Sequence, residues 1–255
     1  TYQLCDITKK NSLKRIIRKY FHYVVNLGGY VDHSNKKKTF QSHYLGCKNL
    51  TEIFLKSFPL SFIQMGSSIE YGKLRSPQKE NKNCSLKSIN SAYGRAKLMS
   101  TLHIMKLYKK KKFPGTILRL YLAYGPKQDV NRFIPIIIKG CLKNKKFLCS
   151  DGKQFRDFVH VYDVVDAIIR SLLNKNSKGQ IINIGSGKPQ KIKKIINDIV
   201  KLTNGGYPQF GKIKLRKDEI LNLFPSIDKA KNKIKWQPKI KFSRGLKTTI
   251  KYYAK

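Results

Sequence analysis

Short apolar runs alternate with longer amphipathic segments along the first half of the chain. The runs 23–27, 60–65 and 116–122 are apolar at most positions and end at small or turn-forming residues, which is typical of strands buried on both faces of a parallel sheet. The segments 40–58 and 92–108 carry apolar residues every three to four positions, as one face of a helix does. This alternation of strands and helices predicts an α/β fold built on a parallel sheet.

The rhythm changes after Gly125 and Pro126. A further apolar run at 180–184 is followed by a Gly-Ser-Gly turn and by a helical pattern at 191–202. We expect this second half to form a smaller lobe laid over the edge of the sheet. A chain of 255 residues with 40% hydrophobic content can bury one sizeable core with an attached lobe, but not two large independent domains.

The chain carries 54 Lys and Arg against 14 Asp and Glu, a formal charge of +40. Such an excess can mark a protein that binds nucleic acid, and a non-catalytic, basic RNA-binding or interaction protein is one alternative. The basic residues, however, are spread along the whole chain among many Ile, Asn, Tyr and Phe, which A/T-rich codons encode. We therefore attribute the charge to genome composition and expect no nucleic-acid partner. A positive field would still favour a substrate that carries a diphosphate.

The five cysteines are widely spread without a C-x-x-C pair, and the five histidines show no zinc-ligand spacing. This pattern favours reduced thiols in a cytoplasmic protein and no bound metal. Polar residues interrupt every apolar run before the roughly 18 residues that a membrane span needs, so we expect no membrane partner. The first residues lack an initiating Met and a signal-peptide core, and we predict that the chain begins in the middle of its fold.

Tyr93 and Lys97 are the first candidates for chemistry. Being four residues apart on a predicted helix, they lie on the same face, one turn from each other. A free tyrosine has a pKa of about 10, but a nearby ammonium and a cationic nicotinamide both favour the phenolate, which can take a proton from a hydroxyl group. In a chain this rich in Tyr and Lys the pair alone is weak evidence, because a solvated helix pair has the same spacing.

The segment 65–72, Met-Gly-Ser-Ser-Ile-Glu-Tyr-Gly, supplies the context for this pair. It follows the second predicted strand directly, at the carboxyl edge of a parallel sheet, where ligands usually bind in such folds. Ser67 and Ser68 would be an ordinary polar turn if they stood alone. The order of strand, serine-rich turn, helix with the Tyr-Lys pair, strand and Tyr-Gly-Pro turn is difficult to obtain by chance.

With these motifs the chain resembles the extended short-chain dehydrogenase/reductases that act on nucleotide sugars, a family of 4-epimerases, 4,6-dehydratases, decarboxylases and keto-sugar reductases. The resemblance implies a Rossmann-like doubly wound parallel sheet in residues 1–125, with its first strands and glycine-rich loop missing. It implies a smaller substrate-binding lobe in 126–255, from which about 160–186 return to the sheet. It also implies NAD, or alternatively NADP, as cofactor, a nucleotide-diphosphate sugar as substrate, and a homodimer.

The resemblance assigns roles to the residues that match the family's motifs. Ser67, Tyr93 and Lys97 match its catalytic trio. Cofactor contacts are implied for Asp6, Ile7, Leu27, Gly28, Gly29, His43, Tyr93, Lys97 and Tyr121. Substrate contacts are implied for Ser67, Ser68, Tyr93, Leu122, Arg156 and Arg216, with the two arginines on the diphosphate. His160 and Trp236 belong to further family segments, and we interpret both as structural residues.

Several positions depart from the family's pattern. The glycine-rich loop that seats the pyrophosphate is absent, so we expect the chain to bind cofactor poorly. His43 and Leu122 stand where the family commonly has Asn, which leaves the identity of the sugar open. Ile69 stands where the 4,6-dehydratases and glucuronate decarboxylases have a catalytic Glu, and alternation along an extended segment predicts that Glu70 points to the opposite face. The leading prediction is a 4-epimerase with a transient 4-keto intermediate, and the alternative enzyme is a 4-keto-6-deoxyhexose reductase.

Overall fold

The computed structural model describes residues 2–215 and 219–254. The strands are β1 (Tyr23–Asn26), β2 (Ser61–Ser67), β3 (Gly115–Leu120), β4 (Leu122–Tyr124), β5 (Lys146–Leu148), β6 (Phe155–Arg156), β7 (Phe158–His160), β8 (Ile181–Ile184), β9 (Gln190–Lys191), β10 (Tyr207–Gln209) and β11 (Asn222–Leu223). The helices are α1 (Lys10–Ile16), α2 (Lys36–Phe40), α3 (Gly46–Phe54), α4 (Ala92–Lys111), α5 (Phe133–Leu142), α6 (Val161–Leu173), α7 (Ile192–Thr203), α8 (Asp228–Ile234) and α9 (Phe242–Tyr253).

A parallel sheet with the strand order β1-β2-β3-β8 forms the centre of the structure. These four strands coincide with the predicted apolar runs, and their parallel pairing confirms the α/β class. The run 116–122 does not continue as one strand, because the chain bends at Tyr121 and β4 pairs with β7 instead. The prediction that every run is buried on both faces was wrong for β1. It pairs only with β2 among the described residues, and Tyr23 is 46% exposed.

Helices cover both faces of this sheet, which makes it doubly wound as predicted. On one face, residues of α3 and α4 such as Leu50 and Ile104 pack with Phe62 and Ile117 of the strands. On the other face, α6 and α8 enclose a second core in which Trp236 is 1% exposed and donates its indole N–H to the carbonyl of Asp163 at 3.0 Å. The sheet is therefore packed between two layers of helices, which fix the positions of its strand ends.

The helical segment predicted at 40–58 begins earlier and is not uniform. The side chain of Asn35 accepts a hydrogen bond from the backbone N–H of Lys38 and so caps α2. Between α2 and α3 the chain makes a π-helical turn, Gln41–Leu45, which carries His43. Such a turn inserts an extra residue into the helix and is frequent at functional sites. It rotates the side chains that follow, so the simple spacing of the sequence does not predict which ones face the sheet.

The second half adds a separate core. Residues of α5, α7 and α9, among them Ile138, Ile195 and Leu246, pack together on β7 through Phe158. In the same half, β8 returns to the central sheet beside β3, with Ile182 opposite Leu118. No helix in the described part of the chain is long and apolar enough to cross a membrane.

Candidate active site

A cleft of about 750 Å³ opens at the carboxyl ends of β1, β2 and β3. Parallel strands end together at this edge, and the bend after β3 leaves it open to ligands. The cleft brings together most of the residues that the sequence predicted for the site: Leu27, Gly29, His43, Ser67, Ser68, Tyr93, Lys97, Tyr121 and Leu122. In the described ranges 2–215 and 219–254, no three His, Cys, Asp or Glu side chains are grouped as metal ligands would be.

Tyr93 lies in the first turn of α4, which begins where the hydroxyl of Ser91 accepts a hydrogen bond from the N–H of Gly94. The ring of His33 is stacked on the Tyr93 ring, with centroids 4.0 Å apart and planes 13° from parallel. Burial raises the pKa of the Tyr93 phenol, hydrogen bonding with Ser67 lowers it, and the charge of Glu70 raises it again. The phenol is therefore protonated at neutral pH until a cation or a ligand stabilises the phenolate.

Lys97 is one helical turn from Tyr93 and is 5% exposed. Its ammonium lies 5.8 Å from the centroid of the Tyr93 ring and donates a hydrogen bond to the carbonyl of Met65 at 2.7 Å. Burial lowers the pKa of Lys97, while attraction to Glu70 raises it. The hydrogen bond to β2 fixes the cation in the floor of the cleft, where it can stabilise a negative charge on Tyr93.

The serine-rich turn begins at the last residue of β2. Ser67 caps a short 3₁₀ helix, Ser68–Tyr71, and its hydroxyl accepts a hydrogen bond from the N–H of Ile69 at 3.4 Å. The extended conformation predicted here was wrong, because the chain turns into this helix. Glu70 nevertheless faces away from the cleft as predicted, since Ile69 lines the cleft and Glu70 does not. Glu70 is fully buried and forms an ion pair with Arg119 of β3, with its Oε2 2.9 Å from the guanidinium Nε.

His43 packs its ring edge-on against Tyr93, with centroids 4.9 Å apart. Burial, together with the positive charge of Lys97, lowers the pKa of His43 to about 4. Its Nε2 lies 3.2 Å from the carbonyl of Tyr30, which can only accept, so Nε2 carries the proton of the neutral ring. Within the described residues its buried Nδ1 has no hydrogen-bond partner, so it can accept one from a ligand in the cleft.

A second concavity of about 680 Å³ lies beside the end of β1 and is lined by Asp6, Ile7, Gly28 and Gly29. The carboxylate of Asp6 accepts hydrogen bonds from Thr8, which lower its pKa. A Cβ on Gly28 would come within 2.9 Å of Ile7 Cδ1. The backbone at Gly28 can therefore lie this close to Ile7 because glycine has no side chain. Four of the predicted cofactor residues thus lie together beside the end of β1.

The remaining predicted residues are placed less simply. Tyr121 lines the cleft but turns its hydroxyl inward, where it donates to the side-chain oxygen of Gln78 at 2.7 Å. Leu122 is 39% exposed at the rim. Arg156 lies in a neighbouring cleft and is paired with Glu219. Arg216 lies outside the described residues.

Sequence reasoning missed three charged or titratable residues in or beside the site: His33, Arg119 and Arg132. Arg119 carried a usable signal, because an arginine within a buried apolar strand requires an internal partner. His33 carried none, since it precedes α2 in a polar segment and reaches Tyr93 only through the fold. Arg132 lines the same cleft and lowers the pKa of Tyr93.

A sequence model of the NAD dependent epimerase/dehydratase family matches residues 1–185. The chain therefore belongs to this family, and both the predicted family and the predicted class of NAD(P)-dependent enzyme are confirmed.

Individual relatives span several reactions on nucleotide sugars. The chain is 28% identical to a UDP-N-acetyl-alpha-D-glucosaminuronate decarboxylase of Bacillus cytotoxicus over 97% of this chain and 81% of that protein. It is 27% identical to a UDP-glucuronate 4-epimerase of Thermodesulfobacterium geofontis over 98% of this chain and 78% of that protein. A crystal structure of UDP-glucose 4-epimerase from Thermotoga maritima, with UDP-glucose, superposes with a TM-score of 0.89 at 24% identity and covers 99% of this chain and 83% of that one.

Proposed function

We propose that this protein is a 4-epimerase that acts on a nucleotide-diphosphate sugar through a transient 4-keto intermediate. The observation that carries the proposal is the composition of the cleft around Tyr93. Ser67 and Lys97 converge there, while none of the described residues that line the cleft is Asp or Glu. A carboxyl group is the usual acid for dehydration or decarboxylation in the family. Here Ile69 occupies its position, and Glu70 is held by Arg119.

In this proposal Tyr93 removes the proton of the C4 hydroxyl group and later returns it. The buried ammonium of Lys97 favours the phenolate that this step requires. Ser67 forms a hydrogen bond with the same sugar oxygen and holds it within reach of the phenol. NAD, when bound, would supply a reversible hydride acceptor beside the sugar carbon.

The residues present fit part of the family's cofactor, although the glycine-rich loop that would seat its pyrophosphate is not in this sequence. Asp6 and Ile7 would hold the adenine side, and Leu27, Gly28 and Gly29 would lie along the dinucleotide as far as the cleft. The unpartnered Nδ1 of His43 would accept a hydrogen bond from it.

The substrate's diphosphate would bind in the second half, which we propose as the substrate lobe. Arg156 lies in a cleft that shares Ile69, Ser91 and Leu223 with the cleft around Tyr93. Its guanidinium suits a diphosphate because it offers parallel N–H donors. We assign the second cationic contact to Arg216. Holding the substrate by its nucleotide end leaves the sugar free to turn between the two hydride transfers.

The test is a panel of UDP-, GDP-, CDP- and dTDP-sugars, incubated with the protein and NAD and analysed for products. We expect one sugar to be epimerised without net consumption of cofactor, and Tyr93→Phe to lower its rate by about 10²- to 10⁴-fold. Tyr44→Phe, a tyrosine on the π-helical turn outside the cleft lining, is the matched control. Conversions that are unchanged in Tyr93→Phe would show the proposal to be wrong.

Two alternatives predict different results in the same experiments. A 4-keto-6-deoxyhexose reductase would consume NADPH in proportion to a keto-sugar. A non-catalytic basic protein would convert no sugar but would bind RNA with an affinity that falls steeply with salt. The cleft favours the enzyme, because Ser67, Tyr93 and the buried Lys97 converge in it.

We also propose a homodimer built on α4 and the helical segment 36–54. Leu102 on α4 is 50% exposed and Phe40 on α2 is 40% exposed, although their helices pack side by side. Leu102→Lys should convert a dimer into a monomer in analytical ultracentrifugation. The wild-type chain sedimenting as a monomer would contradict the proposal.

A further inference from the structure

Glu70 lies at the junction of the serine-rich turn, α4 and β3. Its Oε1 accepts a hydrogen bond from the backbone N–H of Ser67 at 2.8 Å. Its Oε2 accepts one from the hydroxyl of Thr101 at 2.7 Å and one from the Nε of Arg119 at 2.9 Å. One buried carboxylate therefore connects the backbone of Ser67 with the helix that carries Tyr93 and with the neighbouring strand.

The ion pair alone does not account for this arrangement. Taking two charges out of water costs several kcal/mol per ion, and apolar residues of similar volume often serve a core as well. The other two hydrogen bonds of the Glu70 carboxylate show what else it does. One of them holds the N–H of Ser67, and the other reaches Thr101, which is one turn beyond Lys97 on the buried face of α4.

We infer that Glu70 is a positioning residue for this reaction, which fixes Ser67 against the Tyr93 helix and places a buried negative charge beside the Tyr93–Lys97 pair. This inference rests on the proposed roles of Ser67, Tyr93 and Lys97. Glu70 does not line the cleft and acts through the residues it holds.

The charge of Glu70 acts on both members of the pair. It raises the pKa of Lys97 against the effect of burial, and it raises the pKa of Tyr93 by repelling the phenolate. Both effects keep the resting site protonated. The groups that face Tyr93 are Ser67, Lys97, His33, His43, Arg132 and Glu70. Those that face Glu70 are Ser67, Thr101, Lys97, Arg119, Tyr93 and Cys84.

The first experiment measures the electrostatic effect without a substrate. Tyrosine labelled with ¹³C at Cζ is incorporated into the whole protein, Tyr93 is identified by its absence in Tyr93→Phe, and its signal is followed with pH. We expect Tyr93 in Glu70→Gln to begin titrating at lower pH than in the wild-type protein, because a negative charge has been removed and Arg119 is left unpaired. An unchanged titration of Tyr93 would overturn the inference.

Glu70→Gln leaves Arg119 as an unpaired buried cation, which is strongly destabilising, so the double variant Glu70→Gln/Arg119→Gln provides a second route. It removes both charges together, which is far less destabilising than breaking the pair. Tyr93 should still titrate at lower pH than in the wild-type protein, because the repulsion from Glu70 is gone. A wild-type titration in this variant would also overturn the inference.

The second experiment measures the positioning of Ser67. Thr101→Val removes one bond from Glu70 without changing any charge, and should lower kcat about fivefold with KM unchanged, the effect of one lost hydrogen bond. Thr116→Val is the matched control, because Thr116 is equally buried but its hydroxyl bonds Ser177 instead of Glu70. Equal kcat values for the two variants would overturn the positioning role.

The two proposals fail in different ways. If the wild-type protein converts no nucleotide sugar, the proposed function is wrong, whatever the titration of Tyr93 shows. If the wild-type protein is active but Tyr93 titrates alike in the wild-type and Glu70 variants, only the role of Glu70 is wrong.

Discussion

Gly29 and His43 share one volume, since a Cβ built on Gly29 would overlap the imidazole ring of His43. In sequence these positions looked unrelated, Gly29 being an implied cofactor contact and His43 standing where the family commonly has Asn. In the structure they depend on each other, because the large ring of His43 requires a neighbour without a side chain. This coupling leads to the first prediction.

Gly29→Ala should destabilise the protein by about 1–3 kcal/mol through overpacking, and adding His43→Asn should recover most of that loss. The measurement is urea unfolding of the two single variants and the double variant, from which the coupling free energy follows. Gly28→Ala with His43→Asn is the matched control. A Cβ on Gly28 would meet Ile7 and Asn26 rather than the imidazole, so those two changes should be additive.

The stability of the protein should fall with acidification because of His43. Its pKa is about 4 in the folded chain and 6.5 when exposed, so between these values only the unfolded chain binds the proton. The contribution of His43 to the free energy of unfolding is fully present above pH 6.5. It is lost as the pH falls towards 4, and the total loss is roughly 3 kcal/mol.

The measurement is the free energy of unfolding at several pH values in wild-type protein and in His43→Asn, in which this part of the pH dependence should disappear. His22→Asn, at an exposed histidine, should keep the wild-type slope. If the free energy of unfolding depended on pH in the same way in the wild-type protein and in His43→Asn, the prediction would be wrong.

Arg156 should bind a diphosphate in competition with Glu219, its partner in the structure. Glu219→Gln should therefore strengthen binding of UDP by roughly threefold to tenfold, and Arg156→Met should weaken it by roughly tenfold or more, as for the loss of a charged hydrogen bond.

Calorimetric titration with UDP measures both effects. Glu52→Gln, which breaks an exposed ion pair with Lys10 far from this cleft, should leave UDP affinity unchanged. If Arg156→Met binds UDP as the wild-type protein does, the diphosphate is held elsewhere.

Lys97→Met should lower kcat by about 10²-fold or more, because the phenolate of Tyr93 loses the nearby cation that favours it. The acid limb of the kcat/KM profile should also move to higher pH, since the same loss raises the pKa of Tyr93. Lys106→Met on the exposed face of α4 controls for the loss of a lysine. Steady-state rates across pH decide between this prediction and a purely structural Lys97, which would alter stability without moving the profile.

Local patterns predicted the strands and helices well, because each depends on neighbours in sequence. The three apolar runs became strands of one sheet, and the three-to-four spacing located α4. Predictions failed where distant contacts or a local turn changed the geometry. The serine-rich turn closed into a 3₁₀ helix and brought Glu70 inside, and the π-helical turn at His43 altered the helix before α3.

The sequence by itself determined the parallel α/β class, the family, and the placement of Tyr93 and Lys97 one turn apart, since period and motif are properties of short segments. Only the tertiary structure decided that His33 covers the Tyr93 ring, that Gly29 makes room for His43, and that Glu70 holds Ser67. The Glu70–Arg119 ion pair joins residues 49 positions apart. Such contacts arise from packing of elements against each other, which no local pattern records.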